Sequence, residues 1–210
     1  MSRPVLYVLA GVNGAGKSSI GGHLLQAAGL AWFDPDAFAR ELMAVTGCNQ
    51  EDANAVAWAE GVRRLDEALA QRRNHAFETT LGGQTIPARI TATTQSHNVL
   101  VWYCGLSSPE LHIARVKARV AAGGHDIPTA KIRERYPAAL KNLIALMPYL
   151  TSLQVYDNSL EAATGAAIPD PILVAKMEAG KLIWPTQLAT IRNTPEWAKP
   201  LLEVALSMTD

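Results

Sequence analysis

Cysteine is scarce in this sequence, and that scarcity excludes two kinds of architecture. The 210 residues contain two cysteines, Cys48 and Cys104, which lie far apart in the chain. Their spacing fits neither a metal site nor a disulfide framework. We therefore expect a protein of a reducing compartment, the cytoplasm, whose stability depends on an ordinary apolar core.

An excess of charge of either sign is also absent. Lys plus Arg and Asp plus Glu number 19 each, so the formal net charge is zero. A surface that binds nucleic acid needs a basic excess, and we expect no such partner. No apolar run reaches the length that spans a bilayer, so we expect no membrane association. The apolar run at the N-terminus lacks a strongly basic start and leads directly into a glycine-rich turn, which argues against a secretion signal.

That glycine-rich turn is the most informative motif. Residues 11–18 read GVNGAGKS, which matches the phosphate-binding pattern G-x-x-x-x-G-K-[ST]. Glycines let backbone N–H groups curl around phosphate oxygens, and the helix that follows adds the positive end of its dipole. The motif predicts a nucleoside triphosphate site, with Lys17 on the outer phosphates and Ser18 as a ligand of Mg²⁺. The predicted nucleotide-binding residues of the turn are Gly11, Asn13, Gly14, Ala15, Gly16, Lys17, Ser18 and Ser19.

Strands and helices alternate along the chain. Apolar runs predict strands at 5–10, 30–33, 75–80, 98–106 and 152–158. Apolar periodicity predicts helices at 17–29, from Asp36, and at 50–73, 84–97, 109–120 and 129–147. A hairpin that turns at Ala179–Gly180 and a helix over 194–207 follow. We expect one α/β domain over residues 1–210, a three-layer P-loop NTPase fold with a mainly parallel sheet, helices on both faces, and a C-terminal hairpin and helix over 165–210.

Polar side chains follow two of the predicted strands, at the edge where such sheets bind ligands. Asp34 and Asp36 follow the second strand. They could support Mg²⁺, accept a proton from an attacking hydroxyl, or cap the helix that begins after Pro35. Glu78 and Thr80 end the third strand on the same side of it. They could bind an acceptor hydroxyl, or they could satisfy neighbouring backbone groups.

Arginines flank a glycine-rich break in the second half of the chain. Arg115 and Arg119 are four residues apart and share one face of a helix, and Arg133 and Arg135 follow the break. This arrangement is typical of a lid, over approximately 115–135, that stabilises a phosphoryl group in transfer. Arg133 and Arg135 lie about 200° apart on a helix, so we expect one of them to face the site. A solvated basic surface is the alternative.

Two further polar residues are weaker candidates. His125 lies in the glycine-rich break, where a surface loop position is the usual interpretation. Asn158 follows the last parallel strand. In this topology it could contact the adenine ring, or it could belong to an ordinary turn.

Four segments taken together resemble the zeta-toxin family of phosphotransferases. In chain order they read GVNGAGKSS, FDPDAFA, FETTLGG and GGHDIPTAKIRERYPAALKNL. The C-terminal hairpin and helix resemble those of the short bacterial members. The resemblance implies a kinase that uses ATP and Mg²⁺ to phosphorylate the sugar 3′-hydroxyl of a UDP-N-acetylhexosamine such as UDP-N-acetylglucosamine. Many members are silenced by a small helical antitoxin, which is therefore a candidate partner.

The resemblance also implies roles for individual residues. Lys17 and Ser18 match the positions that hold the ATP phosphates and Mg²⁺. Asp36 matches the catalytic base, and Glu78 and Thr80 match positions near the sugar substrate.

The same resemblance assigns two arginines to the phosphates. Arg119 matches the phosphate-contacting arginine before the lid, and Arg133 most nearly matches the one after it, with Arg135 as the alternative. The sequence departs from the family pattern at Gly82, in the segment LGG, where short members often have serine. The implied catalytic group is Asp36, Lys17, Arg119 and Arg133.

We therefore predict a P-loop kinase of a small acceptor. One alternative is a kinase of another small molecule, such as a nucleoside, an antibiotic or a different sugar. A second is a nucleotide-dependent regulatory ATPase that acts on a protein partner. A third is an inactive binder of an antitoxin-like protein.

Overall fold

A six-stranded sheet organises the chain in the computed structural model, which describes residues 3–17, 21, 32–124, 126–160 and 169–208. The strands are β1 (Val5–Ala10), β2 (His75–Thr79), β3 (Asn98–Gly105), β4 (Ser152–Asp157), β5 (Ile172–Glu178) and β6 (Lys181–Trp184). They lie in the order β2-β1-β3-β4-β5-β6. The first four are parallel, whereas β5 and β6 form an antiparallel hairpin on the edge of β4.

Seven α-helices connect or flank these strands in the described part of the chain. They are α1 (Pro35–Thr46), α2 (Gln50–Ala70), α3 (Thr85–Thr93), α4 (Pro109–Ala121), α5 (Thr129–Leu146), α6 (Leu188–Arg192) and α7 (Lys199–Ser207). Ser108 caps α4, because its hydroxyl accepts a hydrogen bond from the Leu111 N–H at 3.2 Å. None of the described helices is long and apolar enough to cross a membrane.

The main core lies on one face of the sheet. Alternate residues of the central strands, such as Val8 of β1, Val101 of β3 and Val155 of β4, point to this face and are fully buried. They belong to one apolar cluster with side chains such as Leu65 of α2 and Leu143 of α5. This burial removes a large apolar area from water and is the main source of stability.

Helical residues lie against the opposite face as well. Gly21 has helical backbone, and a Cβ atom there would lie 2.1 Å from Cδ2 of Leu9, on the other side of β1. With helices on both faces of a mainly parallel sheet, the predicted α/β fold is confirmed. The parallel strands all end at one edge, where the loops that follow them meet.

Several predicted elements have different limits in the structure. The helices predicted at 50–73 and 84–97 end earlier, at Ala70 and Thr93. The helix predicted over 194–207 is divided: a 3₁₀ turn at Glu196–Ala198 precedes α7, in whose first turn Pro200 lies. The short α6 was not predicted.

Some predictions fall partly or wholly on residues that the structure does not describe. Of the strand predicted at 30–33, the described part shows Phe33, which forms a parallel bridge with Phe77 beside β2. Most of the helix predicted at 17–29 lies outside the described residues, as do the site candidates Ser18, Ser19 and His125.

Candidate active site

The phosphate-binding turn packs between the ends of β2 and β3. The Gly11 N–H donates to the Thr79 carbonyl oxygen at 3.1 Å. Gly11 has a φ of +143°, and a Cβ atom there would lie 2.2 Å from the Cys104 carbonyl oxygen. Only glycine fits this position, because a side chain would collide with rigid backbone. The backbone of Gly14 and Gly16 is also left-handed, which is the curled geometry of a phosphate cradle.

Two side chains support the turn from behind. Asn158 donates through Nδ2 to the Ala15 carbonyl oxygen at 2.9 Å, and the Cys104 thiol donates to the same oxygen at 2.9 Å. Burial raises the pKa of Cys104 to about 12, so the thiol keeps its proton at neutral pH. Asn158, predicted to bind the nucleotide, is thus placed against the backbone of the turn.

Asn13 connects the turn to the two helices that follow β3. Its carbonyl oxygen accepts a hydrogen bond from Nδ1 of His112 on α4 at 2.9 Å. Its side-chain oxygen accepts one from Arg135 on α5 at 2.8 Å. Burial lowers the pKa of His112 to about 4. The neutral ring must therefore carry its proton on Nδ1, because a carbonyl oxygen can only accept. The turn is held by side chains from both sides of the predicted lid.

Lys17 and Glu78 form a buried ion pair beneath the turn. The Lys17 ammonium donates to the Gly11 carbonyl oxygen at 2.8 Å and lies 3.2 Å from Oε1 of Glu78. The two side chains are only 6% and 10% exposed. Burial raises the pKa of Glu78, and the Lys17 charge opposes that rise. The second carboxylate oxygen, Oε2, is buried and accepts no hydrogen bond from the described residues, so it is available to a donor on a ligand.

The two aspartates of the DPD segment have different positions. Oδ1 of Asp34 accepts hydrogen bonds from the Asp36 and Ala37 N–H groups at 2.9 and 3.2 Å, so Asp34 is the N-cap of α1. Asp36 lies in the first turn of α1 and lines two of the three cavities at this edge of the sheet.

Three adjoining cavities lie along this edge of the sheet. The phosphate cavity, of about 310 Å³, is lined by Asn13, Gly14, Gly16, Lys17, Asp34, Asp36, Arg40, Glu78, Arg115 and Arg119. The central cavity, of about 200 Å³, has polar lining from Asn54, Thr80 and Arg135 and aromatic lining from Phe33, Trp58 and Phe77, among others. The outer cavity, of about 270 Å³, is bordered by Gly82, Gly83, Thr85, Lys131 and Glu134.

Neighbouring cavities share walls. The phosphate and central cavities have in common Asn13, Lys17, Asp34, Asp36 and Glu78. The central and outer cavities have in common Trp58, Thr79, Thr80, Ile86 and Arg135. The three cavities therefore adjoin one another between the glycine turn and the loop after β2, and Asp36 lies on the wall between the first two.

The arginines of the predicted lid divide into two groups. Arg115 and Arg119 both line the phosphate cavity, and Arg115 also donates to the Leu160 carbonyl oxygen at 3.1 Å. Arg135 lines the central and outer cavities. Arg133, which was the preferred candidate after the lid, is exposed and forms an ion pair with Glu110 away from the cavities. The rotation of α5 thus brings Arg135, the alternative, to the site.

The loop after β2 is fitted closely to α5. A Cβ atom on Gly82 would lie 2.5 Å from Cγ and 2.9 Å from Cβ of Arg135. Asn142 of α5 donates through Nδ2 to the carbonyl oxygens of Leu81 and Gly83 at 2.6 and 2.9 Å. The absence of a side chain at Gly82 is what lets Arg135 lie against this loop.

Sequence reasoning missed several residues that line the cavities. Arg40 lies one helical turn after Asp36, a spacing that could have indicated a shared face. Asn54 and Trp58 come from α2, whose sequence carries no motif. Within the described residues, no cluster of three His, Cys, Asp or Glu side chains is placed to hold a metal ion.

Comparison with known protein families gives a family for the chain. A family model described as Zeta toxin matches residues 1–163. The chain belongs to the zeta toxin family. A protein of Haemophilus influenzae (strain Rd), described as uncharacterized, is 32% identical over 127 residues, which are 60% of this chain and 88% of that relative.

Solved structures share the fold of this zeta toxin family member. The toxin–antitoxin system PezAT of Streptococcus pneumoniae gives a TM-score of 0.60 at 14% identity, over 99% of this chain and 86% of the other. AvrRxo1-ORF1:-ORF2 with ATP gives a TM-score of 0.66 at 15% identity, over 97% of this chain and 64% of the other. At these identities the likeness shows a shared α/β fold and no more.

We predict that His112 makes stability depend on pH. The unfolded chain protonates this histidine near pH 6.5, whereas the folded protein does so only near pH 4. As pH falls through this window, the unfolded state binds a proton and the folded state does not. The free energy of unfolding therefore falls by about 3 kcal/mol. Urea unfolding from pH 7 to pH 4 should show that His112→Asn loses less stability than the parent chain. Parallel curves for the two proteins would contradict the prediction.

We also predict different effects at two adjacent glycines. Gly82→Ala should displace Arg135, break its hydrogen bond to Asn13 and lower the free energy of unfolding by about 1–3 kcal/mol, as overpacking does. Gly83→Ala is the matched control, since a Cβ atom there meets nothing within 4 Å. It should change stability by no more than about 0.5 kcal/mol. Equal effects in urea unfolding would show that the loop yields to the added methyl group.

Proposed function

We propose that this protein is an ATP-dependent kinase that phosphorylates a hydroxyl group of a UDP-N-acetylhexosamine such as UDP-N-acetylglucosamine. The supporting observation is the wall that the phosphate and central cavities share. Asp36, Lys17 and Glu78 all lie on this wall, with the glycine turn on one side and the aromatic lining of the central cavity on the other. A proton acceptor and a cation at such a junction suit transfer between two bound substrates.

The phosphate cavity is the proposed ATP site. Its left-handed glycines offer backbone N–H groups, and Lys17, Arg115 and Arg119 offer positive charge, so the residues present fit a triphosphate. Mg²⁺ in such sites is held by phosphates and a few protein oxygens. Ser18 is the proposed protein ligand, and its neighbour Ser19 belongs to the same proposed site. ATP with Mg²⁺ supplies the phosphoryl group.

Asp36 is the proposed general base. It takes the proton of the acceptor hydroxyl as the hydroxyl oxygen bonds to phosphorus and ADP leaves. Lys17, Arg119 and Arg135 stabilise negative charge on the group in transfer, each from a different element. Arg135 replaces Arg133 in this role because Arg133 forms an ion pair with Glu110.

The central and outer cavities are the proposed acceptor site. Oε2 of Glu78 would accept a hydrogen bond from a hydroxyl or amide group of the acceptor, and Thr80 lines the same cavity. Trp58, 53% exposed, lies where the two cavities join and offers a flat apolar surface to a ring. Lys131, which lines only the outer cavity, would attract an anionic group further out. A sugar nucleotide has these chemical parts in an elongated form.

A small helical antitoxin is the proposed protein partner, in the cytoplasm. The support is family membership together with the similar fold of the PezAT toxin–antitoxin system. Inhibition of the kinase by such a partner would then regulate it.

The direct test is ³¹P NMR of the protein with ATP, Mg²⁺ and UDP-N-acetylglucosamine. We expect a new sugar-phosphate resonance together with that of ADP. Asp36→Asn should lower the rate of transfer by about 10²–10⁴-fold, the usual contribution of a general base, and leave ATP affinity nearly unchanged. Glu41→Gln, on the exposed side of the same helix, is the matched control. ADP and free phosphate without the new resonance would reject this acceptor, and normal turnover by Asp36→Asn would reject the base.

The two arginines of α5 provide a second test. Arg135→Gln should reduce transfer by about 10–100-fold, because a charge-assisted hydrogen bond at the site is lost. Arg133→Gln removes the same charge from an exposed ion pair and should keep nearly full activity. Initial rates at saturating ATP would compare them. A larger loss in Arg133→Gln than in Arg135→Gln would reject Arg135 as the arginine that acts at the site.

A further inference from the structure

The cations of the phosphate cavity differ in how they are held. The Lys17 ammonium is bound by the Gly11 carbonyl oxygen and Glu78, and Arg115 donates to the Leu160 carbonyl oxygen. Arg40 also lines this cavity, but it has no hydrogen bond or ion pair to any other described residue. Its exposed guanidinium is therefore available to a ligand.

The position of Arg40 along α1 relates it to the proposed base. Arg40 follows Asp36 by four residues, so the two side chains occupy the same face of the helix, one turn apart. Arg115 and Arg119 enter the cavity from α4 instead. A guanidinium on α1 thus approaches the phosphates from the helix that carries Asp36.

Among the described residues, the carboxylates that line the cavity form no ion pair with Arg40. Of the three carboxylates, that of Asp34 caps α1 and that of Glu78 is paired with Lys17. A guanidinium can form two parallel hydrogen bonds with phosphate oxygens, and Arg40 has its donors available. The phosphate nearest Asp36 is the one that leaves the nucleotide, if Asp36 accepts the proton of the attacking hydroxyl.

We propose that Arg40 is a further catalytic residue that binds the terminal phosphate of the nucleotide, the group that is transferred. The inference rests on the proposed function in taking the phosphate cavity as the ATP site, and it does not depend on which acceptor is used. Arg40 would hold the phosphoryl group from the side of α1 while Lys17 and the arginines of α4 hold it from the other elements.

The test compares nucleotides with and without the terminal phosphate. Calorimetry with Mg²⁺, and either ADP or a non-hydrolysable ATP analogue, should show that Arg40→Gln weakens binding of the analogue by about tenfold. Binding of ADP should stay within about twofold, because ADP lacks the contacted group. Turnover at saturating ATP should fall by about 100-fold or more, as arginines that stabilise this transfer contribute. Arg40→Lys keeps the charge but cannot form two parallel hydrogen bonds with a phosphate. Its turnover and its affinity for the ATP analogue should lie between those of the parent protein and those of Arg40→Gln.

Lys117→Gln is the matched control for charge. Lys117 lies on α4 between the two cavity arginines but is exposed and lines none of the three cavities. It should keep both nucleotide affinities and full turnover. Urea unfolding of each variant separates a loss of folding from a loss of binding, and we expect parent-like stability because Arg40 is exposed.

Three results would overturn the assignment. They are equal weakening of both nucleotides, a change confined to the KM of the acceptor, and parent-like behaviour of Arg40→Gln. A failure of UDP-N-acetylglucosamine as acceptor would be recognised separately, because nucleotide binding is measured without it. Selective weakening of the ATP analogue would then support Arg40 even as the proposed acceptor is rejected.

Discussion

The buried ion pair between Lys17 and Glu78 is the constraint on which the site depends. Both charges are buried, and the hydration they lose offsets much of their mutual attraction. The ion pair is therefore weak evidence for a gain in stability. Its value lies in position. In the register of β1 and β2, Glu78 lies opposite Leu9. Leu9 comes two residues before Gly11, where the glycine turn that leads to Lys17 begins. Sheet register thereby places the Lys17 ammonium, the proposed phosphate contact, beside a carboxylate with one oxygen available to a ligand.

The glycine turn is fixed by its surroundings as much as by its own sequence. Gly11 is pressed against the backbone of β3, and Asn13 is bound by His112 from α4 and Arg135 from α5. These contacts place donors around the turn before any ligand arrives, and such preorganisation is how phosphoryl-transfer sites lower the barrier. A substitution in α4 or α5 can therefore reach the proposed nucleotide site through Asn13.

Most of what could be predicted from the sequence came from short local motifs. The strand order along the chain depends on spacing within short segments, and the structure agrees with it. The glycine turn and the arginine pair of α4 also depend on local spacing, and the structure places both along one cavity. The choice between Arg133 and Arg135 could not be made in this way. The rotation of a helix about its axis is decided by what it packs against, here the loop at Gly82 and the turn at Asn13. Likewise, which aspartate caps α1 depends on a single rotamer, and Trp58 reaches the site from a distant helix.

The fit between the loop after β2 and α5 limits how the proposed acceptor site can be exchanged among relatives. Asn142 holds two carbonyl oxygens of that loop, and Arg135, two turns earlier on the same helix, rests on Gly82. The loop and the helix must therefore change together among relatives, although some fifty residues of sequence separate them. A chimera that imports only the loop of another family member would receive a foreign backbone under Arg135 and lose its support. A chimera that imports both segments would keep the contacts between the loop and the helix.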